Sequence, residues 1–161
     1  MLAGAAVVRG IEAAGFTHVV WIPDSHLGTW DEALLASQTL CLIRPTREGE
    51  AVGIAAGLML GGARPLVAMQ CTGFFEAGDA VRNVAHDLKL PLKLLVGVRS
   101  WRAAAAGKSG DNCPTFAEPL VRAWGLPAEW FDPFTATDAA CGTAIERLAD
   151  APTASVLLWG E

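Results

Sequence analysis

Residues 46–57 read Thr-Arg-Glu-Gly-Glu-Ala-Val-Gly-Ile-Ala-Ala-Gly, and residues 65–73 read Pro-Leu-Val-Ala-Met-Gln-Cys-Thr-Gly. The first stretch predicts a helix that starts with acidic residues, and the second contains a short apolar run typical of a buried strand. Glu48 is thus placed in the first turn of a helix, and Gln70 at the end of a strand. In an open α/β sheet, ligands bind in the crevice at the carboxyl ends of the strands. The two stretches therefore predict a ligand site at one edge of an α/β sheet.

Strands and helices are expected to alternate along the whole chain. The expected strands are residues 18–22, 39–43, 66–70, 92–98, a short segment around Trp130, and residues 155–159. The expected helices are residues 2–14, a segment from Asp24 or Ser25 to about Ala36, and residues 47–61, 75–88, 114–124 and 137–149. Only residues 99–112 break this pattern and favour a loop. Alternation of this kind implies parallel strands joined by right-handed crossovers. We predict a three-layer α/β/α domain over residues 1–161 with about six parallel strands.

Composition narrows the class of protein. The chain has 161 residues, a 52% hydrophobic content and a mean hydropathy of +0.35, so part of its apolar surface is expected to meet a partner. No apolar run approaches the roughly 20 residues that span a bilayer, and no basic segment precedes an apolar one at the start. A cytoplasmic protein without a membrane segment is expected. The net charge of −5 and the lack of basic runs argue against nucleic-acid binding.

The cysteines give no sign of a metal or redox site. Cys41, Cys71, Cys113 and Cys141 are widely spaced and form no Cys-x-x-Cys motif. This spacing predicts neither a zinc site nor a redox pair. Buried, reduced thiols are the default expectation, and Cys71 lies next to the predicted site.

The stretches quoted above resemble a known family. Glu48-Gly49, the run Ala51–Gly57 and the later Met69-Gln70-Cys71-Thr72-Gly73 are similar to the pyrimidine-binding domain of thiamine-diphosphate-dependent 2-oxoacid decarboxylases. The pattern is most similar to phosphonopyruvate decarboxylases and to the α-subunits of sulfopyruvate decarboxylase. Ile22–Ser25 also resembles the Val-Pro-Asp-Ser stretch that follows the first strand of phosphonopyruvate decarboxylases.

The resemblance gives Glu48 a catalytic role. In the family, a glutamate at this position hydrogen-bonds N1′ of the coenzyme's aminopyrimidine and favours the tautomer that removes the C2 proton of the thiazolium. A desolvated carboxylate has a raised pKa, which suits a shared proton. The structural alternative is that an acid in a first helical turn simply interacts with the helix dipole. Glu50 faces another side of the helix and is expected to be a surface residue or a partner contact.

Other residues match the coenzyme and substrate positions of the family. The resemblance assigns Gln70, Thr72 and Gly73 to coenzyme binding. Ser25 is either a substrate contact or a helix cap. His26 either transfers a proton or binds an anionic group, or is an ordinary surface histidine.

The chain departs from the family just after this site. Cys71 replaces an asparagine, and Phe74–Glu76 stand where the family has Leu-Gly-Asn, so a small polar loop has become bulky and apolar. The two phenylalanines are expected either to close a pocket around an apolar substrate or to pack against a second subunit. Arg99–Lys108 loosely resembles a basic motif of phosphonate- and sulfonate-specific relatives, and a solvated loop is favoured there.

The chain lacks the Gly-Asp-Gly motif with which these enzymes hold Mg²⁺ and the diphosphate. The last predicted strand lies at the end of these 161 residues, so we expect the diphosphate domain to belong to another chain. The resemblance therefore implies thiamine diphosphate bound between this chain and a separate diphosphate-binding β-type subunit that carries Mg²⁺. Such a carboxy-lyase is expected to be a heteromer with two or more copies of each chain, to act on a small 2-oxoacid, and to be inactive without its partner.

Two other functions stay open. One is a non-catalytic binding or regulatory module that keeps the fold and pairs with another protein. The other, a stand-alone nucleotide-binding domain, is disfavoured because neither Gly-x-Gly-x-x-Gly nor a P-loop pattern is present.

Overall fold

The computed structural model describes residues 2–161, which contain a six-stranded sheet. The strands are His18–Trp21 (β1), Cys41–Ile43 (β2), Pro65–Gln70 (β3), Lys93–Val98 (β4), Ala128–Phe131 (β5) and Ser155–Gly160 (β6). All neighbouring pairs are parallel, in the order β2-β1-β3-β4-β6-β5. The predicted fold class is confirmed.

Helices cover both faces of the sheet. They are Gly4–Ala13 (α1), Asp31–Ala36 (α2), Glu48–Leu60 (α3), Cys71–Glu76 (α4), Gly78–Arg82 (α5), Trp101–Ala105 (α6), Cys113–Ala123 (α7) and Asp138–Asp150 (α8). One hydrophobic core lies between the sheet and α1, α2 and α8, and a second lies between the sheet and α3, α4, α5 and α7. None of the helices within residues 2–161 combines the length and apolar character needed to cross a bilayer.

The central strands are apolar on both sides because helices cover both faces. Every residue of β4 and of β6 is buried. Along β4, Leu94 and Val96 contribute to one core, whereas Leu95 between them contributes to the other. This alternation fixes the side of the sheet on which each strand-end residue lies.

The strand order places a crevice between β1 and β3. β2 pairs with one side of β1, and the next strand, β3, pairs with the other side. The direction in which successive strands are added to the sheet therefore reverses between β1 and β3. Such a reversal separates the loops that leave two adjacent strands and opens a ligand-binding crevice at their carboxyl ends. The turn after Trp21 and the segment after Gln70 flank this crevice.

The expected helix over residues 75–88 is wrong in its start and its continuity. Helix α4 begins at Cys71, directly after β3, and α5 follows it after a break at Ala77. A π-helical turn, Asn83–Asp87, completes the segment. The Trp124 ring packs so closely that a Cβ at Gly78 would lie 2.8 Å from its Cζ2 atom. We attribute the bent path to this contact, which joins segments far apart in sequence.

Three further expectations need correction. The segment expected to form one helix up to Ala36 is a 3₁₀ turn, Leu27–Trp30, followed by the short helix α2. The expected loop at residues 99–112 contains the short helix α6. Cys41 is exposed, because it begins the edge strand β2, while the other three cysteines are buried and all four are free.

Candidate functional site

The Glu48 carboxyl group lies directly over Gly73. A Cβ placed on Gly73 would collide with Cγ, Cδ and Oε1 of Glu48. Glu48 is half-buried at the start of α3, and Gly73 is buried in the first turn of α4. The missing side chain at Gly73 therefore provides the space that the carboxyl group occupies.

Two acidic residues other than Glu48 accept the hydrogen bonds of donor groups at the start of α3. The Thr46 backbone N–H and hydroxyl both donate to Glu50 Oε2, at 2.8 and 2.7 Å. Glu76 pairs with Arg47, and its Oε2 accepts from the Gly49 backbone N–H at 3.3 Å. These bonds serve the helix start in the way that capping residues do.

These contacts leave the Glu48 carboxylate available to a ligand. Among residues 2–161, its carboxylate has neither a hydrogen bond nor an ion pair, so the helix start does not depend on it. Glu50 is exposed, as expected of a surface residue, and its bonds to Thr46 lower its pKa. A half-buried carboxylate without a protein partner can accept a hydrogen bond or share a proton with a ligand.

Gln70 and Thr72 form a hydrogen-bonded pair at the junction of β3 and α4, which also carries Gly73. The Thr72 hydroxyl donates to Gln70 Oε1 at 2.9 Å, which orients the Gln70 amide at the end of β3. The Gln70 NH₂ group has no hydrogen-bond partner within the described residues. Thr72 itself is exposed. The junction of β3 and α4 thus brings together Glu48, Gln70, Thr72 and Gly73, and it presents one acceptor and one donor.

The turn after β1 holds the other candidates. Asp24 Oδ1 accepts from the backbone N–H groups of His26 and Leu27, both at 2.8 Å, so Asp24 and not Ser25 caps this turn. The Ser25 hydroxyl is exposed, and neither it nor the His26 imidazole is hydrogen-bonded from Leu2 to Glu161. The turn lies across the β1/β3 crevice, but no hydrogen bond links it to Glu48 or Gln70.

A carboxyl group that the sequence did not predict lies at the same edge of the sheet. Glu161 follows β6 and is only 5% exposed, and both of its carboxyl oxygens lack a partner within the described chain. Asp24 Oδ2 is also buried without a partner. Burial, and then the Asp24 charge, raises the pKa of Glu161 to about 8. Its position directly after a buried strand was the signal available in the sequence.

The aromatic residues after Gly73 belong to the core of this chain. Phe74 is 0% exposed, and its ring centroid lies 5.0 Å from that of Trp124. Phe75 is half-buried and packs against the same core. Neither expectation for Phe74, a pocket lid or a contact with a second subunit, holds, because α4 turns this side chain inward.

Replacing Phe74 by Ala is expected to lower the free energy of unfolding by about 3–5 kcal/mol, because a large buried ring is lost from a packed core. The matched control is Phe116→Ala, since Phe116 on α7 is 54% exposed and its loss should change stability by less than about 0.5 kcal/mol. Urea unfolding followed by circular dichroism measures both. Equal, small losses in the two variants would contradict the assignment of Phe74 to the core.

Neighbouring cysteine and arginine side chains have structural contacts. Cys71 is buried, and burial raises its pKa to about 12, so its thiol is protonated and unreactive. Arg99 Nε pairs with Asp111 Oδ2 at 2.7 Å. The Arg102 guanidinium lies 4.3 Å from the centre of the Phe134 ring. Arg99 and Arg102 therefore brace the segment after β4.

A cavity of about 380 Å³ lies at the opposite, amino-terminal end of the sheet and is lined in part by Arg64 and Lys93. The buried Lys93 ammonium donates to Thr153 O at 2.8 Å and to Ala151 O, and burial lowers its pKa to about 8. Arg64 donates to Ala14 O at 3.3 Å. Ala14 and Ala151 follow the ends of α1 and α8, where cations stabilise exposed helix carbonyls. These cations have a structural role.

The fold is that of a domain in thiamine-diphosphate-dependent decarboxylases. Benzoylformate decarboxylase from Polynucleobacter necessarius matches with a TM-score of 0.75 and 18% identity, over 99% of this chain and 30% of that one. The thiamine diphosphate-dependent 4-hydroxybenzoylformate decarboxylase of Rhodococcus jostii matches with a TM-score of 0.67 and 18% identity, over the same shares.

Sequence comparison points to particular relatives, although no family model matches the chain. The phosphonopyruvate decarboxylase of Streptomyces viridochromogenes is 27% identical over 112 residues, which cover 70% of this chain and 26% of the relative. The sulfopyruvate decarboxylase of Methanosarcina acetivorans is 37% identical over 68 residues, 42% of this chain and 17% of the relative. The sulfopyruvate decarboxylase subunit alpha of Methanococcus maripaludis is 28% identical over 99 residues, 62% of this chain and 59% of the relative.

These findings confirm the resemblance to the pyrimidine-binding domain of thiamine-diphosphate-dependent decarboxylases. The chain spans 26% of the length of the phosphonopyruvate decarboxylase and 59% of the length of the sulfopyruvate decarboxylase subunit alpha that it matches.

Proposed function

We propose that residues 1–161 form one pyrimidine-binding domain, the α-type subunit of a heteromeric thiamine-diphosphate-dependent 2-oxoacid decarboxylase similar to sulfopyruvate and phosphonopyruvate decarboxylases. One observation carries the proposal: the half-buried Glu48 carboxylate, which has no hydrogen-bond or ion-pair partner among residues 2–161, lies over Gly73 at the crevice where the strand order reverses. Glu48 is the residue that activates the coenzyme's aminopyrimidine.

The groups at this edge fit that part of the coenzyme. Glu48 accepts a hydrogen bond from a protonated ring nitrogen, and the Gln70 amide donates to an acceptor on the coenzyme or substrate. Thr72 orients the Gln70 amide, and Gly73 leaves room for Glu48. Thiamine diphosphate, when bound, supplies the stabilisation of a carbanion that decarboxylation needs. Ser25 and His26, across the β1/β3 crevice, contact the small 2-oxoacid.

The outward side of α3 supports a partner subunit. Apart from chain neighbours and the backbone of α3 itself, no atom of residues 2–161 lies within 4 Å of the positions where a Cβ would stand on Gly53 and Gly57, and Leu60 is 72% exposed. Apolar helices are usually covered on all sides. The relative in Methanococcus maripaludis is itself described as a subunit alpha. We propose that the diphosphate-binding β-type subunit covers this side and holds Mg²⁺ and the diphosphate, in a complex with two or more copies of each chain.

Co-expression with the diphosphate-domain protein encoded nearest to this chain tests the proposal. Calorimetry with thiamine diphosphate and Mg²⁺, and CO₂ release from a panel of 2-oxoacids, are measured for each chain alone and for the complex. We expect coenzyme binding and turnover only when both chains are present. A stable complex that neither binds coenzyme nor releases CO₂ would contradict the proposal and favour the non-catalytic binding module.

A further inference from the structure

Asp24 Oδ2, from the turn after β1, and the Glu161 carboxyl group, at the end of β6, are buried at the same carboxyl edge of the sheet. Both occupy the space above Gly97 in β4. A Cβ on Gly97 would collide with Glu161 Oε1, and it would lie 3.4 Å from Asp24 Oδ2. Glycine at this position allows both carboxyl groups to approach the same point.

The backbone fixes Glu161 in this position. Its N–H donates to Val98 O at 3.1 Å, and its carbonyl accepts from the Arg102 N–H at 3.1 Å. These bonds attach residue 161 to β4 on one side and to α6 on the other. The burial of its side chain is therefore a consequence of strand pairing.

Within residues 2–161, no cation forms an ion pair with either carboxyl group. Next to Gly97 along the chain, Arg99 pairs with Asp111, and on α6 the Arg102 guanidinium stacks over Phe134. On α4, the Cys71 thiol is the nearest titratable group, and its pKa is raised. In the turn itself, His26 contributes its backbone N–H to Asp24 Oδ1.

Two carboxylates in such a place cannot both be ionised at low cost. Desolvation and like charge each disfavour the second negative charge, and the usual outcome is one retained proton. Burial, and then the Asp24 charge, raises the pKa of Glu161 to about 8. A carboxyl group that keeps its proton has an O–H with which to bond the other carboxylate.

We propose that Glu161 and Asp24 share one proton, with the Glu161 O–H donating to Asp24 Oδ2, and that this bond holds the turn of residues 24–30 against β4 and β6. Asp24 Oδ1 at the same time caps the turn, so the shared proton positions the segment that carries Ser25 and His26. Trp30, at the end of the turn, packs against Trp159 of β6 with ring centroids 5.2 Å apart. Glu161 and Asp24 are positioning residues, and only the consequence for substrate contacts rests on the proposed function.

The native state binds this proton more tightly than the unfolded chain does, because the folded pKa lies above the ordinary value of 4.5. The bond is therefore present at low pH and is lost as the pH rises through about 8. Carboxyl ¹³C NMR of the 161-residue chain should show Glu161 titrating near pH 8. Hydrogen-exchange protection of the His26 and Leu27 amides, corrected for intrinsic rates, should fall by up to about tenfold per pH unit between the ordinary carboxyl value of 4.5 and about 8, and should level off above that range.

Glu161→Gln is the informative variant, since the glutamine side-chain amide donates to Asp24 at every pH. The hydrogen-exchange protection of the His26 and Leu27 backbone N–H groups should therefore become independent of pH. Glu146→Gln is the matched control on the exposed side of α8, and it should keep the wild-type loss. A Glu161 carboxyl that titrates near 4.5, or protection in wild type that persists to pH 9.5, would overturn the proposal, as would an unchanged loss in Glu161→Gln. The carboxyl titration in wild type decides the question even if the variant does not fold. None of these measurements uses coenzyme or partner, so failure of the proposed function would leave them unaffected.

Discussion

Replacement of Glu48 by Gln is expected to reduce turnover of 2-oxoacid by the assembled complex by about 10²–10⁴-fold. The amide keeps the size of the side chain but cannot hold a negative charge against a protonated ring nitrogen. Coenzyme binding should weaken much less, because most of its contacts belong to the proposed partner. Steady-state CO₂ release and calorimetric titration with thiamine diphosphate separate the two effects.

Glu50→Gln is the matched control for Glu48→Gln. It removes the same charge from the same helix, two residues away, but Glu50 bonds Thr46 and is exposed. Its turnover should stay within about threefold of wild type, since a surface change away from the reacting groups has little effect. Equal losses in the two variants would assign the effect to helix electrostatics instead of to the Glu48 carboxylate.

Gly73→Ala is expected to reduce turnover by about 100-fold, because displacement of a catalytic group by about 1 Å has an effect of this size. The new methyl group would occupy the position of the Glu48 carboxyl group and force it away from the crevice. Stability should not fall for reasons of helix propensity, since Ala is favoured over Gly inside a helix by about 1 kcal/mol. Turnover and thermal unfolding, measured side by side, show whether the loss is local.

The control for this change is Gly142→Ala on α8, where the new Cβ would meet no atom of residues 2–161 within 4 Å apart from its chain neighbours and the backbone of its own helix. It should leave turnover unchanged. The double variant of Glu48→Gln and Gly73→Ala should lose little more than Glu48→Gln alone, because both changes remove the same interaction. Losses that multiply would mean that Gly73 acts independently of Glu48.

The sheet was predictable because each strand is a short apolar run ended by Gly, Pro or a polar residue. The runs Leu66–Gln70 and Leu92–Val98 are too short for core helices and are buried on both faces, as parallel strands require. The break between α4 and α5 was not predictable, since it accompanies the packing of Trp124 against Gly78. Local propensity carries no information about the Trp124 ring, which lies more than forty residues from Gly78 along the chain.

The site was predictable only in part. Glu48 and Gln70 follow from their places at a helix start and a strand end. The Glu48 carboxylate is available to a ligand because Glu76, on α4, bonds the start of α3 in its place. No local sequence pattern contains that contact. Asp24 and Ser25 were equally good caps by residue type, and the path of the turn selects Asp24. Glu161 was not among the predicted site residues, because the burial of its side chain requires the pairing of β6 with β4.

Exchange of the C2 proton of bound thiamine diphosphate, followed by NMR in heavy water, tests the central claim most directly, because it reports coenzyme activation without requiring the substrate. The complexes compared are those that contain wild-type chain, Glu48→Gln and Glu50→Gln. Our account predicts rapid exchange in wild type and Glu50→Gln, and exchange at least about 100-fold slower in Glu48→Gln. Equal exchange rates in all three complexes, with coenzyme bound in each, would contradict it.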